Sequence, residues 1–345
     1  MNRFLDMHSD FKFNGKAYNS KSFCSFANEL LNSDEEFEKH LSKFVLDWFD
    51  ENDFVEVTTS GTTGTPKVIR LKKEAMVNSA LATAAFFDLK SNCKALHCLP
   101  MQYIAGKMML VRAMVLGWDL DFVKPDAHPL DGNKTNYDFT AMVPLQVENS
   151  FEQLRLVKKV IIGGAKLSPD LARKLKQLPT AIYETYGMTE TITHIAAKKI
   201  QDSGFSVLPG ITVSTDDRKC LVIDAPRLSE TKIITNDVVE IVGDDKFVWL
   251  GRFDNVINSG GVKLFPERIE EKLGGKIPHR FFVIGKPDNS LGEKLVLVIE
   301  SSPYEIGSSA FDGLDKFEKP KEIVFVPKFS ETETGKIKRA DTIKK

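Results

Sequence analysis

Between positions 1 and 50 the apolar residues fall three and four apart: Phe23, Phe26, Ala27, Leu30 and Leu31, then Phe37, Leu41, Phe44, Val45 and Trp48. That spacing follows the turn of an amphipathic helix, so residues 1–50 are expected to be helical. The pattern then shortens. Residues 54–57 and 68–71 alternate as strands do, and the segment between them is expected to join a hairpin. A long helical stretch covers 73–89. Strands at 95–99, 139–143, 160–162 and 181–183 then alternate with helices at 106–116 and 168–178. The second of those helices opens on Ser168-Pro169-Asp170, an N-cap followed by proline at the first helical position. This alternation predicts an α/β layer whose strands are buried between helices.

Beyond about residue 190 the periodicity changes. Short strands at 211–214, 220–223, 238–242 and 247–250 are separated by turns such as Thr215-Asp216-Asp217 and Gly243-Asp244-Asp245. They predict a small antiparallel or barrel-like element. The last block contains a helix at 266–273, strands at 281–284, 294–300 and 323–326, and a helix near 308–316. It reads as a compact α+β unit. The expected fold is therefore α/β, with a large N-terminal domain over 1–252 and a small α+β domain over 253–345.

Length and composition narrow the function classes. A chain of 345 residues with 42% apolar and 28% charged residues has room for one large and one small globular unit. A net charge of −1 gives no general attraction to nucleic acid or to an anionic membrane. The most apolar stretch, 108–123, is broken by Arg112, Asp119 and Asp121, so no membrane insertion is expected. Arg3, Asp6, Asp10 and Lys12 leave no apolar core for a signal peptide, and a cytoplasmic location is expected. Cys24, Cys93, Cys98 and Cys220 form no Cys-x-x-Cys pair and have no histidine cluster beside them. Reduced, mostly buried thiols are the expectation. A homo-oligomer stays open.

The chemistry concentrates in Thr58, Thr59, Ser60, Gly61, Thr62, Thr63, Gly64, Thr65, Pro66 and Lys67. Glycines let backbone N–H groups approach phosphate oxygens, hydroxyls donate further hydrogen bonds, and lysine supplies charge. This is no Walker A loop: the lysine follows proline, no Ser or Thr comes after it, and a strand follows where that motif needs a helix. Three downstream segments fit the same chemistry: Tyr186-Gly187-Met188-Thr189-Glu190, Gly251-Arg252-Phe253-Asp254 through Gly260-Gly261, and Thr334-Gly335-Lys336-Ile337-Lys338-Arg339. Together with the first loop, and in this order, they resemble the signature motifs of the adenylate-forming superfamily of acyl-CoA synthetases, adenylation domains and luciferases.

The resemblance implies ATP, Mg²⁺ and coenzyme A as partners of a carboxylic acid. It assigns the phosphates to the loop of Thr59, Ser60, Gly61, Thr62, Thr63, Gly64 and Lys67, with Thr189 as a further contact. Glu190 is implied as the magnesium ligand, which suits an ion that takes one or two carboxylates plus phosphate oxygens and waters. Tyr186 with Gly187, and Gly163-Gly164-Ala165, correspond to the two walls of the adenine slot. A core tyrosine and an ordinary strand-to-helix turn are the alternatives for these two segments. Asp237 would accept the ribose hydroxyls with Arg252 beside it. Asn236 stands where the family commonly has glycine, and asparagine tolerates a left-handed backbone. Asp254 matches the hinge of a mobile C-terminal domain. Lys336 would reach from that domain to the charge that builds up as the carboxylate is joined to the α-phosphate. Gly260 and Gly261 would let the pantetheine arm pass close to the backbone.

Gln102 and Tyr103 occupy places where acyl-CoA ligases often carry an aromatic residue followed by histidine. Tyr103 is expected either to wall the acid pocket or simply to pack. His194 is read as a satisfied histidine, with substrate contact as the alternative. The expected reaction has two steps, acyl-adenylate formation and then thiol attack. Because the phosphate loop begins near residue 58, the chain resembles the shortened o-succinylbenzoate–CoA ligases of menaquinone biosynthesis within this superfamily. That acid carries a second carboxylate, for which Thr191, Thr193 and His194 are candidate partners. Another aryl- or acyl-CoA ligase, or a stand-alone enzyme loading a carrier-protein thiol, is the alternative.

Overall fold

The computed structural model describes residues 7–58, 68–331 and 337–344. A parallel core of strands Lys94–His97, Asp119–Phe122, Tyr137–Met142, Val157–Ile162 and Ala181–Gly187 carries the first half of the chain. Helices Lys73–Phe87 and Ile104–Leu116 pack together against it. Helix Ile104–Leu116 is apolar around most of its circumference because Met108, Met109, Leu110, Val111 and Ala113 are all buried. Gly117 ends it in a left-handed conformation (φ 73°), where a glycine avoids the Cβ clash. Helix Pro169–Leu175 starts as the sequence predicts: the Ser168 hydroxyl accepts the Leu171 N–H, with Pro169 at the first turn.

From Ala181–Gly187 onward the strands run antiparallel. Strands His194–Lys199, Phe205–Val207, Lys246–Arg252, Ile233–Ile241, Cys220–Asp224 and Thr212–Thr215 extend the same hydrogen-bonded path, which reaches 13 strands among the described residues. The chain then enters a separate five-stranded sheet built from Ile257–Ser259, Val262–Leu264, Phe281–Asp288, Gly292–Glu300 and Glu322–Val326. Its core joins Ile269 and Leu273 of helix Pro266–Leu273 to Val283, Leu295, Leu297 and Ile299 of the sheet. The fold is α/β with a large sheet-rich part and a small α+β part.

Several local expectations are corrected. Helix begins only at Ser20; before it, strands Lys12–Phe13 and Lys16–Ala17 form a hairpin on the sheet edge. Asn14 (φ 49°) and Gly15 (φ 76°) supply the two positive φ angles of a tight turn, which overrides helical spacing. The helix expected near 308–316 is a single 3₁₀ turn, Ser308–Phe311, followed by Gly313 in the left-handed region (φ 83°). The strand expected at 181–183 continues to Gly187, so Tyr186 lies within it. Asn236 sits in strand Ile233–Ile241 and needs no left-handed backbone. Strands Asp119–Phe122, His194–Lys199 and Phe205–Val207 were not anticipated. Among the described residues, no helix is long and apolar enough to cross a membrane.

Candidate active site

The expected phosphate loop, Thr59 to Gly64 and Lys67, and Lys336 lie outside the described residues. Their flanks are described. Strands Phe54–Thr58 and Val68–Lys72 pair antiparallel, Thr58 opposite Val68, so the loop's two ends meet at the tip of a hairpin. A bridge between Glu331 and Ile337 similarly brackets Lys336.

At the C-terminal ends of the parallel strands a cavity of about 260 Å³ opens. Gly163 and Gly164 line it from one strand end, and Thr189, Thr193 and His194 from the segment after the next strand. Gly187 also borders it, and only glycine fits there: a Cβ would strike the Thr193 carbonyl and the His194 α-carbon. Ala141, Ile161 and Ile192 give the cavity apolar walls. Ala165 and Tyr186 do not line it. A larger cleft of about 640 Å³ beside helix Glu36–Trp48 is lined by His40, Lys43, Asp47, Gln102 and Lys107, and among the described residues by none of those expected at the nucleotide.

The turn after Gly187 is strained. Ile192 adopts φ 66° and ψ −59°, and the Thr193 N–H donates to the Thr191 carbonyl at 2.7 Å, which together make a γ-turn of the rare kind. A β-branched residue held there costs about 1–3 kcal/mol. Thr191 is buried and serves this turn: its hydroxyl accepts the Met188 N–H (3.0 Å) and faces the Thr193 carbonyl (2.7 Å). Glu190 is exposed in the 3₁₀ turn Thr189–Thr191 and makes no hydrogen bond or ion pair among the described residues. Tyr103 stands just before helix Ile104–Leu116, 47% exposed, while its neighbours Ile104 and Ala105 line the cavity.

The residue that the motif reading missed is Arg112. It projects from the middle of helix Ile104–Leu116 to the cavity and is 1% exposed. No carboxylate among the described residues lies within ion-pairing distance. Its partners are all neutral: Nε donates to Thr83 Oγ1 (3.4 Å), and Nη2 approaches Thr193 Oγ1 (3.4 Å) and His194 Nδ1 (3.5 Å). Burial pushes its pKa down to about 9. Burial, and then the adjacent Arg112 charge, hold His194 neutral well below the usual histidine range. The signal was present in the sequence as a lone arginine inside Met108-Met109-Leu110-Val111-Arg112-Ala113-Met114.

A second polar group lies on the antiparallel strands. Asp237 is 7% exposed and opposite Arg252 in the ladder. One carboxylate oxygen accepts the Tyr186 hydroxyl (2.7 Å) and the other accepts the Trp249 indole N–H (3.0 Å). Arg252 Nη1 lies 3.9 Å from the second oxygen, and Nη2 lies 3.5 Å from Asp254. The Tyr186 ring packs edge-on against Phe247 at 5.2 Å. Burial and the Asp237 carboxylate raise its hydroxyl pKa, so it remains a neutral donor. Asn236 ties this strand to the segment after Arg252, donating to Asp254 (3.4 Å) and accepting from Arg218 (2.8 Å). Arg218 in turn covers the Phe253 ring at 5.2 Å. Gly260 (φ 58°) and Gly261 (φ 82°) form the tight turn between Ile257–Ser259 and Val262–Leu264 in the small sheet and do not line the cavity.

Comparison with known proteins gives a consistent result. The profile of a family described as AMP-binding enzyme matches residues 19–232. The 2-succinylbenzoate–CoA ligase of Haemophilus influenzae is 25% identical over 336 residues, covering 87% of this chain and 69% of that protein. The crystal structure of an acyl-CoA synthetase (AMP-forming)/AMP-acid ligase II-like protein from Dyadobacter fermentans is 36% identical, with a TM-score of 0.63 over 93% of this chain and 97% of that one. The o-succinylbenzoate CoA synthetase from Bacillus subtilis, solved with its acyl-adenylate intermediate, shares the fold at 18% identity and a TM-score of 0.70, over 84% of this chain and 68% of that one. Such a scaffold is that of an AMP-forming acid–thiol ligase. The chain belongs to the AMP-binding enzyme family.

Proposed function

We propose that this ligase activates a dicarboxylic acid, o-succinylbenzoate, with ATP and passes the acyl group to coenzyme A. The observation that carries the choice of acid is Arg112. A guanidinium held in an apolar cavity with no counter-charge among the described residues is costly, and an anion delivered by the substrate would offset that cost. Its planar fork suits a carboxylate, and the cavity walls suit an aromatic ring. Arg112 would take the carboxylate that is not activated, leaving the other near Gly164 and Thr189.

In this reading the activated carboxylate oxygen attacks the α-phosphorus of ATP, the bond to pyrophosphate breaks, and an acyl-adenylate forms. The acid is itself the nucleophile, so the chain's task is placement and charge stabilisation. The 59–67 loop and Thr189 would bind phosphate, Asp237 the ribose, and Lys336 the charge developing at the reacting phosphoryl group. Tyr186 and Trp249 orient both Asp237 oxygens. Glu190 fits a magnesium ion as an exposed oxygen donor without a partner among the described residues, since that ion needs as few as one carboxylate beside phosphates. When bound, magnesium would neutralise phosphate charge. In the second step the thiol attacks the acyl carbon and AMP leaves. We place the division between lobes at residues 1–252 and 253–345, with Asp254 as the hinge that exchanges Lys336 for the Gly260-Gly261 turn.

The test is pyrophosphate release with ATP and coenzyme A across a panel of acids. The panel includes o-succinylbenzoate, 3-benzoylpropionate and 2-butyrylbenzoate; each of the last two lacks one carboxylate. A preference for the dicarboxylate of about a hundredfold is expected. Equal use of a monocarboxylate analogue would overturn the assignment of the acid.

A further inference from the structure

We propose that His194 and Thr83 are positioning residues that aim Arg112 at the substrate while leaving its charge uncancelled. The proposal rests on the reading of Arg112 given above.

The hydrogen-bond network fixes the protons. Thr83 Oγ1 donates its single proton to the Ser79 carbonyl one turn back in helix Lys73–Phe87, at 2.9 Å. The same oxygen lies 3.3 Å from His194 Nε2 and 3.4 Å from Arg112 Nε. With its proton committed, Thr83 can only accept from both. His194 therefore carries its proton on Nε2, and Nδ1 is the acceptor. Nδ1 faces Arg112 Nη2 at 3.5 Å and the Thr193 hydroxyl at 3.4 Å. Arg112 is thus oriented from two sides, at Nε by a hydroxyl and at Nη2 by an imidazole, and neither partner bears a negative charge.

The backbone supports the same purpose. The γ-turn centred on Ile192 delivers Thr193 and His194 into the cavity, and strain of that kind persists only where surrounding contacts impose it. Gly187 lets the His194 backbone come close. A carboxylate in place of the imidazole would orient the guanidinium as well but would cancel the charge that binds the acid. A neutral acceptor is therefore the specific requirement.

Selectivity is the readout, because a purely structural role would depress all acids alike. The quantity is kcat/KM for o-succinylbenzoate divided by that for whichever monocarboxylate analogue turns over. His194→Leu removes both donor and acceptor and is expected to lower this ratio about tenfold or more, the size of a lost hydrogen bond to a charged group. His194→Gln keeps one donor and one acceptor and should restore most of the ratio. Thr83→Val, nearly isosteric, should reproduce the loss and covers the case in which His194→Leu fails to fold. Equal loss with both acids in Thr83→Val and His194→Leu would overturn the proposal while leaving Arg112 in its role. Absence of any dicarboxylate preference in the unaltered enzyme would instead overturn the reading on which it rests.

Discussion

Arg112→Met is the most informative single change, because it should move stability and activity in opposite directions. Methionine reproduces the stem as far as Nε and removes the rest of the guanidinium with its charge. Burial shifts the guanidinium from an ordinary value of 12.5 to about 9. At about 1.4 kcal/mol per unit, the folded protein carries a penalty of about 4–5 kcal/mol for holding this group charged. The sign follows from linkage. A base whose value falls on folding destabilises the fold at every pH below the lowered value, and relief begins only as pH rises through it. Near pH 7 the penalty is therefore present in full. Methionine removes it, while Thr83, Thr193 and His194 each lose a donor at a cost of about 1 kcal/mol. The free enzyme should consequently gain about 1–2 kcal/mol and melt a few degrees higher, read by calorimetry. Loss of the counter-charge for a buried carboxylate costs about 3–5 kcal/mol, which lowers kcat/KM for o-succinylbenzoate by about 10²–10⁴-fold. The monocarboxylate analogue should suffer far less. A variant that melts lower and loses both acids equally would show that Arg112 braces helix Ile104–Leu116 and does not serve the substrate.

Other residues give separate checks. Lys336→Ala should abolish adenylate formation, followed by pyrophosphate release, yet largely spare thioester formation from supplied acyl-adenylate; equal loss of both half-reactions would defeat the two-orientation scheme. Glu190→Ala should raise the magnesium concentration needed for half-maximal ATP use without moving the melting temperature, and an unchanged magnesium dependence would return Glu190 to the surface. Arg218→Ala removes the 2.8 Å contact to Asn236 and the cover over Phe253. Trypsin cleavage after Arg252 should then accelerate several-fold at a stability cost of about 1–2 kcal/mol; wild-type cleavage kinetics would dismiss the clamp on this segment. On strand Glu322–Val326, hydrogen bonds from Lys294 (2.8 Å) and Lys286 (2.9 Å) hold the Glu322 carboxyl below its ordinary value of 4.5. That stabilisation is complete above 4.5 and disappears as pH falls through the lowered value, so Glu322→Gln should flatten the acid limb of melting temperature against pH.

Local chemistry made much of the molecule legible from its residues. Helix Pro266–Leu273 follows from its apolar spacing, and the start of Pro169–Leu175 from Ser168 and Pro169, because caps and helical periods act within a turn or two. Strands Phe54–Thr58 and Val68–Lys72 pair as the alternation suggests. Gly163, Gly164 and Thr189, expected from motifs at the nucleotide, line one cavity together with Thr193 and His194, which were only candidate partners of the acid. Short strands such as Phe205–Val207 escaped notice, since three residues carry too little periodicity to register. The opening hairpin escaped because Asn14 and Gly15 determine the backbone there more strongly than the spacing of phenylalanines.

Arg112 marks the boundary between the two kinds of information. In the chain it is one arginine interrupting an apolar helix, and helical periodicity says only that it is buried. Its significance depends on Thr83, 29 positions away, and His194, 82 positions away, both neutral, and on there being no carboxylate among the described residues at that spot. Periodicity is decided by neighbours along the backbone, whereas the cost of an unbalanced charge is decided by everything within a few ångströms in space. Only the folded arrangement of helices Lys73–Phe87 and Ile104–Leu116 with the strained turn at Ile192 fixes that neighbourhood.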